Sequence, residues 1–425
     1  MVKVVIKRKS LQRRVFWFEP SARKLRRGFA TLNELAKLLA LSEEEKTERG
    51  LLYTPAEIAQ QPATWQATLF SFRRRGAALE AFLNRAGFGD PRGPKPTVFL
   101  IGAGSSDYVG RSLLHLFRRR WNCEVLAIPS TSLLTHQDQW LTPGQRYLWI
   151  SFSRSGDSPE SVAVLERALV HHPEIHHIVV SCNFEGRMIR CATGKNQAFP
   201  MVLPAEVNDR GLAMTSSFSN MVVLGQCLAH RADLAQYEPI LQRLVEAGDS
   251  FLPLAADAAA ALAAEPFAKI CFLGSGALEA VAVESRLKVL ELSAGKIITM
   301  AESFLGLRHG PMAALDKSTL LVAFLANDEK VARYEKDLLR ELSSKQLLQT
   351  QVVVGGHPEF APDRLAGKYL SPLVREPVPD DCRPPVDVLF GQLIGLFVSL
   401  RCNLTPDQPS PNGAISRVVQ DVKIY

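Results

Sequence analysis

Short apolar runs alternate with amphipathic stretches through most of the chain, and this alternation sets the first expectation. "TVFLIGAGSSDYVGRSLLHLF" (97–117) reads as a buried strand, a glycine turn and a helix whose apolar positions recur every three or four residues. "YLWISFSRSGDSPESVAVLERAL" (147–169) repeats the plan, and "HIVVSCN" (177–183) is a further buried strand. Strands alternating with helices predict a parallel sheet covered on both faces. The plan then recurs. "KICFLGSGALEAVAVESRLKVLEL" (269–292) echoes 97–117, "TLLVAFLANDEKVARYEKDLL" (319–339) echoes the region around 148–168, and "QTQVVVGG" (349–356) echoes 176–183. An internal period of roughly 170 residues implies two copies of one α/β unit. A helix is expected between them at "AADAAAALAAE" (255–265), and residues 30–95 read as helices. In that lead-in, Thr54-Pro55-Ala56-Glu57 reads as a helix start, with Thr54 as cap and Glu57 at the third position.

Composition changes this picture little. Apolar residues make up 47% and charged residues 22% of the 425, ordinary values for a globular protein. No run of eighteen apolar residues occurs, so no membrane span is expected. The net charge of +7 is misleading, because residues 1–29 hold ten Lys or Arg and one acid, a local charge of +9. The rest of the chain is therefore 7 − 9 = −2, which gives nucleic-acid binding by the body no support. The basic arm 1–29 reads as a disordered tail. Its Arg13-Arg14 pair is followed by too short an apolar run for an export signal, so a cytoplasmic location is expected. The seven cysteines are scattered and form no C-x-x-C pair, which fits reduced thiols. The paired histidines 171–172 and 176–177 lack a Cys or Asp at ligand spacing, so no metal site is expected.

Candidate chemistry sits at the loops that follow the strands, where such sheets bind ligands. "GAGSSD" (102–107) brings Ser105 and Ser106 to a helix N-terminus. "SRSGDS" (153–158) does the same with Ser153, Ser155 and Ser158, and Arg154 adds charge. Unpaired N–H groups and the helix dipole at these points favour an anion, and several hydroxyls suit a phosphate monoester. Serines here also read as plain helix caps. A dinucleotide site is disfavoured, because the third glycine of G-x-G-x-x-G is replaced by Asp107. The second copy has one serine in "GSGALE" (274–279) and none in "FLANDEK" (324–330), so its loops read as structural. Its helix carries Glu284, Lys288 and Glu291 at i, i+4 and i+7. That spacing reads first as a surface Glu–Lys pair worth a few tenths of a kcal/mol. The sharper alternative is a carboxylate at the edge of a core, tuned toward a base. His309 stands before a Gly-Pro turn that exposes it; a loop histidine is usually unremarkable, but an acid–base role is natural for this residue type.

Together these residues carry a resemblance. The "GAGSS" and "SxSGxSxES" loops resemble the phosphate loops of sugar isomerase (SIS) domains. The two copies, with "LKVLELSAGK" and "LRHGP", resemble the isomerase half of glucosamine-6-phosphate synthase. "NDRGLAMTSSFSNM" (208–221), "ESRLKVLELSAGK" (284–296) and "TPDQPSPNGAISRVVQDV" (405–422) are more similar still to the AgaS family, known as galactosamine-6-phosphate deaminase/isomerase or tagatose-6-phosphate ketose/aldose isomerase.

The resemblance implies an α/β fold of two tandem SIS domains, each a five-stranded parallel sheet between helices in a flavodoxin-like sandwich. The implied division is a helical lead-in plus first domain over 30–235, a second domain over 236–404 and a tail over 405–425 that closes the site. It implies a phosphorylated amino sugar as substrate, bound by Ser105, Ser106, Ser153, Arg154, Ser155 and Ser158. Glu291 stands at the position of the base, with Lys288 one turn earlier, and Thr215 and Ser216 fall in the loop that contacts the sugar. His309 matches a ring-opening histidine supplied across a homodimer interface. Arg417 stands where the synthase has a tail lysine, and Arg154 replaces a glutamine. The synthase also needs an N-terminal cysteine nucleophile, whereas Val2 stands here and no glutaminase domain precedes. The expected reaction therefore releases nitrogen: galactosamine 6-phosphate and water give tagatose 6-phosphate and ammonia, through an enolamine. No metal or redox cofactor is expected, because the open-chain aldehyde already acidifies the C2 proton. Simple ketose/aldose isomerisation and a non-catalytic sugar-phosphate sensor are the alternatives.

Overall fold

The computed structural model describes residues 32–90, 92–361, 367–419 and 422–425; the basic arm lies outside them. Five helices lead in: α1 (Glu34–Leu39), α2 (Glu43–Arg49), α3 (Thr54–Ala59), α4 (Gln61–Arg73) and α5 (Gly76–Leu83). The first α/β unit follows as β1 (Thr97–Gly102), α6 (Ser105–Trp121), β2 (Val125–Pro129), α7 (Ser130–Trp140), β3 (Tyr147–Ser153), α8 (Pro159–His171), β4 (His176–Ser181), α9 (Arg187–Ala192) and β5 (Ala198–Val202). Helices α10 (Ser216–Ala229) and α11 (Leu234–Ala263) lead to the second unit. This runs as β6 (Lys269–Gly274), α12 (Ala277–Leu292), β7 (Ile298–Ser303), β8 (Thr319–Leu325), α13 (Glu329–Lys345), β9 (Thr350–Gly355), β10 (Lys368–Leu370) and α14 (Pro384–Arg401).

Both sheets are five-stranded and parallel, ordered β2-β1-β3-β4-β5 and β7-β6-β8-β9-β10. The two orders are the same order, which is the internal repeat seen as topology. It is also the doubly wound flavodoxin-like order, whose ligand crevice opens between the first and third strands. The inner strands are apolar on both faces, as sheets covered by helices require: β1, β3 and β8 are buried along their whole length, whereas edge strand β7 is only partly covered.

Two helices differ from their sequence reading. The helix expected over 255–265 begins at Leu234 and runs for 30 residues through Pro239 and Pro253. The expected domain boundary at 235/236 falls in its first turn. Helix α14 is long and apolar enough to span a membrane, yet 89% of it is buried inside the protein. It is a core helix, packed on α11 and α12. Helix α12 also packs on α6 of the first unit, and that contact positions the site.

Candidate active site

Strand β1 ends at Gly102, where a Cβ would overlap the Ser106 carbonyl group of the turn that follows. Gly104 then takes a φ of 56°, and α6 starts at Ser105. Strand β3 ends at Ser153, and its loop turns through Gly156 at a φ of 69°. The Ser153 hydroxyl accepts from Gly156 N at 3.0 Å, and the Ser155 hydroxyl accepts from Asp157 N at 3.1 Å. Each loop serine thus has a lone pair engaged by its own turn and its O–H proton free for an anion. Ser158 stands at the N-terminus of α8 but makes no capping bond, so the plain-cap reading does not account for it.

Between these loops lies a cavity of about 620 Å³. Ser105, Ser106, Ser153, Arg154, Ser155, Ser158, Glu291 and Arg417 all line it. Leu212, Met214 and the tail 413–419 complete the wall. The Arg154 guanidinium is buried and donates to the carbonyls of Gly211 (3.2 Å), Leu212 (2.9 Å) and Arg417. Arg417 donates through Nε to the Asp209 carbonyl at 2.7 Å and through Nη2 to Asn208 Oδ1 at 2.8 Å. Two guanidinium groups therefore tie the tail and the 208–214 loop to the serine loops, around a cavity that the carboxylates of Glu160 and Glu291 also line.

The second half contributes from α12, and here the surface-pair reading is overturned. Glu284 and Lys288 are both fully buried, because α6 and α14 pack over that face of α12. Lys288 Nζ lies 2.7 Å from Glu291 Oε2, 3.3 Å from Glu284 Oε1 and 3.0 Å from Ser105 Oγ. Burial pushes the Glu284 carboxyl up to about 7, against the pull of Lys288. Burial also works against the Lys288 charge, but Glu284 and Glu291 outweigh it and hold the lysine above its ordinary value. Lys288 is therefore an ammonium clamped between two carboxylates, one sealed in the core and one facing the cavity.

The second unit's own loops are closed by its acids. Glu335 accepts from Ala326 N at 2.8 Å, and Asp380 accepts from Asn327 N at 3.0 Å and Asp328 N at 3.1 Å. In the first unit the turn amides of Gly156 and Asp157 are taken by serine hydroxyls; in the second, carboxylates take the amides of 326–328.

Three expected positions stand elsewhere. Thr215 and Ser216 are fully buried, and neither lines the cavity. Thr215 donates to Asp209 (3.2 Å) and Ser216 to the Glu57 carbonyl (2.6 Å), while their neighbours Leu212 and Met214 reach the wall. His309 is exposed in a turn after β7 and does not line the cavity of its own chain.

Sequence reasoning passed over three acids that build the site from below. Asp209 is fully buried and accepts from the backbone N–H groups of Thr215 (2.7 Å), Ser216 (3.0 Å) and Ser217 (2.9 Å) at the start of α10. Asp407 accepts from Thr54 N at 2.8 Å and Thr54 Oγ1 at 2.7 Å. Glu57 accepts from the N–H groups of Arg210 (2.5 Å) and Gly211 (3.3 Å). Thr54 and Glu57 are thus spent on the tail and the 208–214 loop and do not form the expected cap. Burial, with Asp209 nearby, pushes the Glu57 carboxyl up to about 7. The signal available was only an acid just ahead of a serine-rich helix start.

Two doubly wound sheets in tandem, with a serine-lined cavity at the first crevice, define a tandem SIS-domain protein. No family model matches the chain. Among curated relatives, a D-galactosamine-6-phosphate deaminase AgaS of Escherichia coli is 34% identical over 88% of this chain and 95% of its own length. An AgaS protein of Streptomyces coelicolor is 38% identical, again over 88% and 95%. The crystal structure of tagatose-6-phosphate ketose/aldose isomerase from E. coli matches with a TM-score of 0.76 and 30% identity, over 88% of this chain and 96% of that one. The chain belongs to the AgaS family. The C-terminal domain of glucosamine-fructose-6-phosphate aminotransferase from Francisella tularensis shares the fold, at a TM-score of 0.70 and 17% identity.

Proposed function

We propose that the protein converts galactosamine 6-phosphate and water to tagatose 6-phosphate and ammonia. One observation carries the reading: Glu291, paired with buried Lys288, opens onto the same cavity as the serine loops. The phosphate sits on Ser106, Ser153, Ser155 and Ser158 under the charge of Arg154 and Arg417. Anchoring it there makes the later steps effectively intramolecular. After ring opening, C1 is an aldehyde and C2 carries the amine. Glu291 removes the C2 proton, giving a C1–C2 enolamine, and returns the proton to C1. The product is a C2 imine. Water adds to that carbon and the C–N bond breaks, leaving the ketose and ammonia.

Ring opening is assigned to His309 of a second copy. The exposed His309, with Ile298 and Leu305 exposed nearby in sequence, supports a homodimer that completes each site. In this reading residues 30–235 and 236–404 form the two SIS halves, and the tail after 405 covers the substrate.

The family names support both deaminase and isomerase chemistry, and the same base serves both. Purified protein is given galactosamine 6-phosphate, glucosamine 6-phosphate and tagatose 6-phosphate, and ammonia and sugar products are followed. Ammonia from the galacto sugar supports the proposal. Turnover of tagatose 6-phosphate with no ammonia from any sugar replaces it with the isomerase. Saturable binding without turnover of any of the three leaves a sensor.

A further inference from the structure

Ser105 stands apart from the other cavity serines. Its side chain lies 3.0 Å from Glu284 Oε1 and 3.0 Å from Lys288 Nζ, and it is only 4% exposed. An ammonium group is donor-only, so the Ser105 oxygen accepts from Lys288. The single hydroxyl proton then goes to Glu284. No proton remains for a phosphate oxygen. Ser106, by contrast, donates only to the Met214 thioether, a weak acceptor at 4.0 Å that a phosphate oxygen would readily replace. Lys288 donates to Ser105 and is paired by charge with Glu284 and Glu291.

We infer that Ser105 is a positioning residue for the base, not a phosphate ligand through its side chain. Resting on the proposed chemistry of Glu291, this assigns Ser105 the task of fixing the ammonium that aims and holds that carboxylate. It also joins the two halves. Ser105 opens α6 of the first unit, directly beside Ser106, while Glu284, Lys288 and Glu291 belong to α12 of the second. Substrate that settles on Ser106 therefore tightens the first turn of α6, and this turn carries the hydroxyl that sets the base. Without the hydroxyl, Lys288 loses its hydrogen-bond acceptor and Glu284 loses its only hydroxyl donor, its Oε2 being already without a partner.

The test compares Ser105→Ala, Ser105→Thr and Ser106→Ala in the full-length protein. Binding of galactosamine 6-phosphate is measured by calorimetry, and kcat, KM and the pH profile of kcat are measured alongside. Ser105→Ala is expected to leave the dissociation constant within about threefold, to lower kcat about 10- to 100-fold, and to displace the limb of the pH profile set by Glu291. Ser105→Thr keeps the hydroxyl and is expected to recover most of kcat. Ser106→Ala is expected to weaken binding about tenfold or more. A dissociation constant raised as much by Ser105→Ala as by Ser106→Ala overturns the inference. So does a fall in kcat with an unmoved pH profile and no recovery by threonine. If the wild type turns over none of the three sugars, the proposed function and the base-positioning role fail together. The claim that Ser105 spends no proton on phosphate is then still decided by the binding comparison.

Discussion

Replacing Lys288 with methionine keeps most of the side-chain volume and removes the charge, and the structure sets the cost. The ammonium is wholly buried, 3.3 Å from Glu284 and 2.7 Å from Glu291. At an effective dielectric of about 20 these separations correspond to about 5 and 6 kcal/mol of attraction, most of it offset by desolvation. What the substitution exposes is the asymmetry of the remaining acids. The Glu291 side chain is 22% exposed and can be rehydrated, whereas Glu284 is sealed and left without a counter-charge. Breaking a buried pair in this way costs about 3–5 kcal/mol. The cost depends on pH. Glu284 already titrates at about 7 in the folded protein against 4.5 as a free side chain, with Lys288 pulling it down. Losing that pull moves it higher, by about 1.4 kcal/mol per pKa unit. A carboxyl whose folded pKa is raised binds extra protons in the native state, so its contribution to stability falls as pH rises through that window. Urea unfolding of Lys288→Met is therefore expected to show a deficit of about 3–5 kcal/mol near pH 8 and roughly 1 kcal/mol less near pH 5.5, where Glu284 is protonated with or without the lysine. Adding Glu284→Gln to the same variant is expected to return part of the loss at pH 8 and flatten the pH dependence. A deficit below about 1 kcal/mol, or one equal at the two pH values, would refute the buried clamp.

Glu291→Gln is expected to bind galactosamine 6-phosphate within a few-fold of wild type and to lose about 10²–10⁴ in kcat, read by ammonia release; wild-type turnover in this variant removes Glu291 as the base. Asp209→Ala leaves three buried N–H groups at the start of α10 without an acceptor and is expected to cost about 3 kcal/mol or more, with a raised KM because Arg417 is held by the same loop. Thermal unfolding and steady-state kinetics check both effects, and an unchanged melting point contradicts the cage. Gly102→Ala forces a methyl into the Ser106 carbonyl and is expected to weaken phosphate binding about tenfold or more while the far-ultraviolet circular dichroism stays native.

What the sequence carried and what it withheld divide along one physical line. The strands and helices, the repeat and the serine loops are set by local signals: apolar runs, a glycine where strand meets helix, hydroxyls at a helix start; the strand order was implied only by the family resemblance. These were legible, down to the contrast between an open first unit and a self-closed second. The burial of polar side chains was not legible, because distant partners decide it. Glu284 and Lys288 at i and i+4 read the same on a wet surface as in a core. They are buried because α6 and α14 close over them, α6 bringing Ser105 from 179 and 183 positions away. Thr54 and Glu57 fit a local capping pattern, yet their partners lie 353 and 153 positions off, and the longer-range bonds won. The same reasoning explains Thr215 and Ser216. Their stretch was recognised as characteristic, but its position at the site is set by Asp209 beneath it, which turns these two hydroxyls inward and presents Leu212 and Met214 to the cavity. A polar residue in such a stretch can face the ligand or hold up the residue that does, and the number of long-range partners its atoms already have separates the two. By that criterion Ser106 and Ser158, which line the cavity, are the hydroxyls left for the ligand of the proposed function, while Ser105 and Asp209 hold the frame.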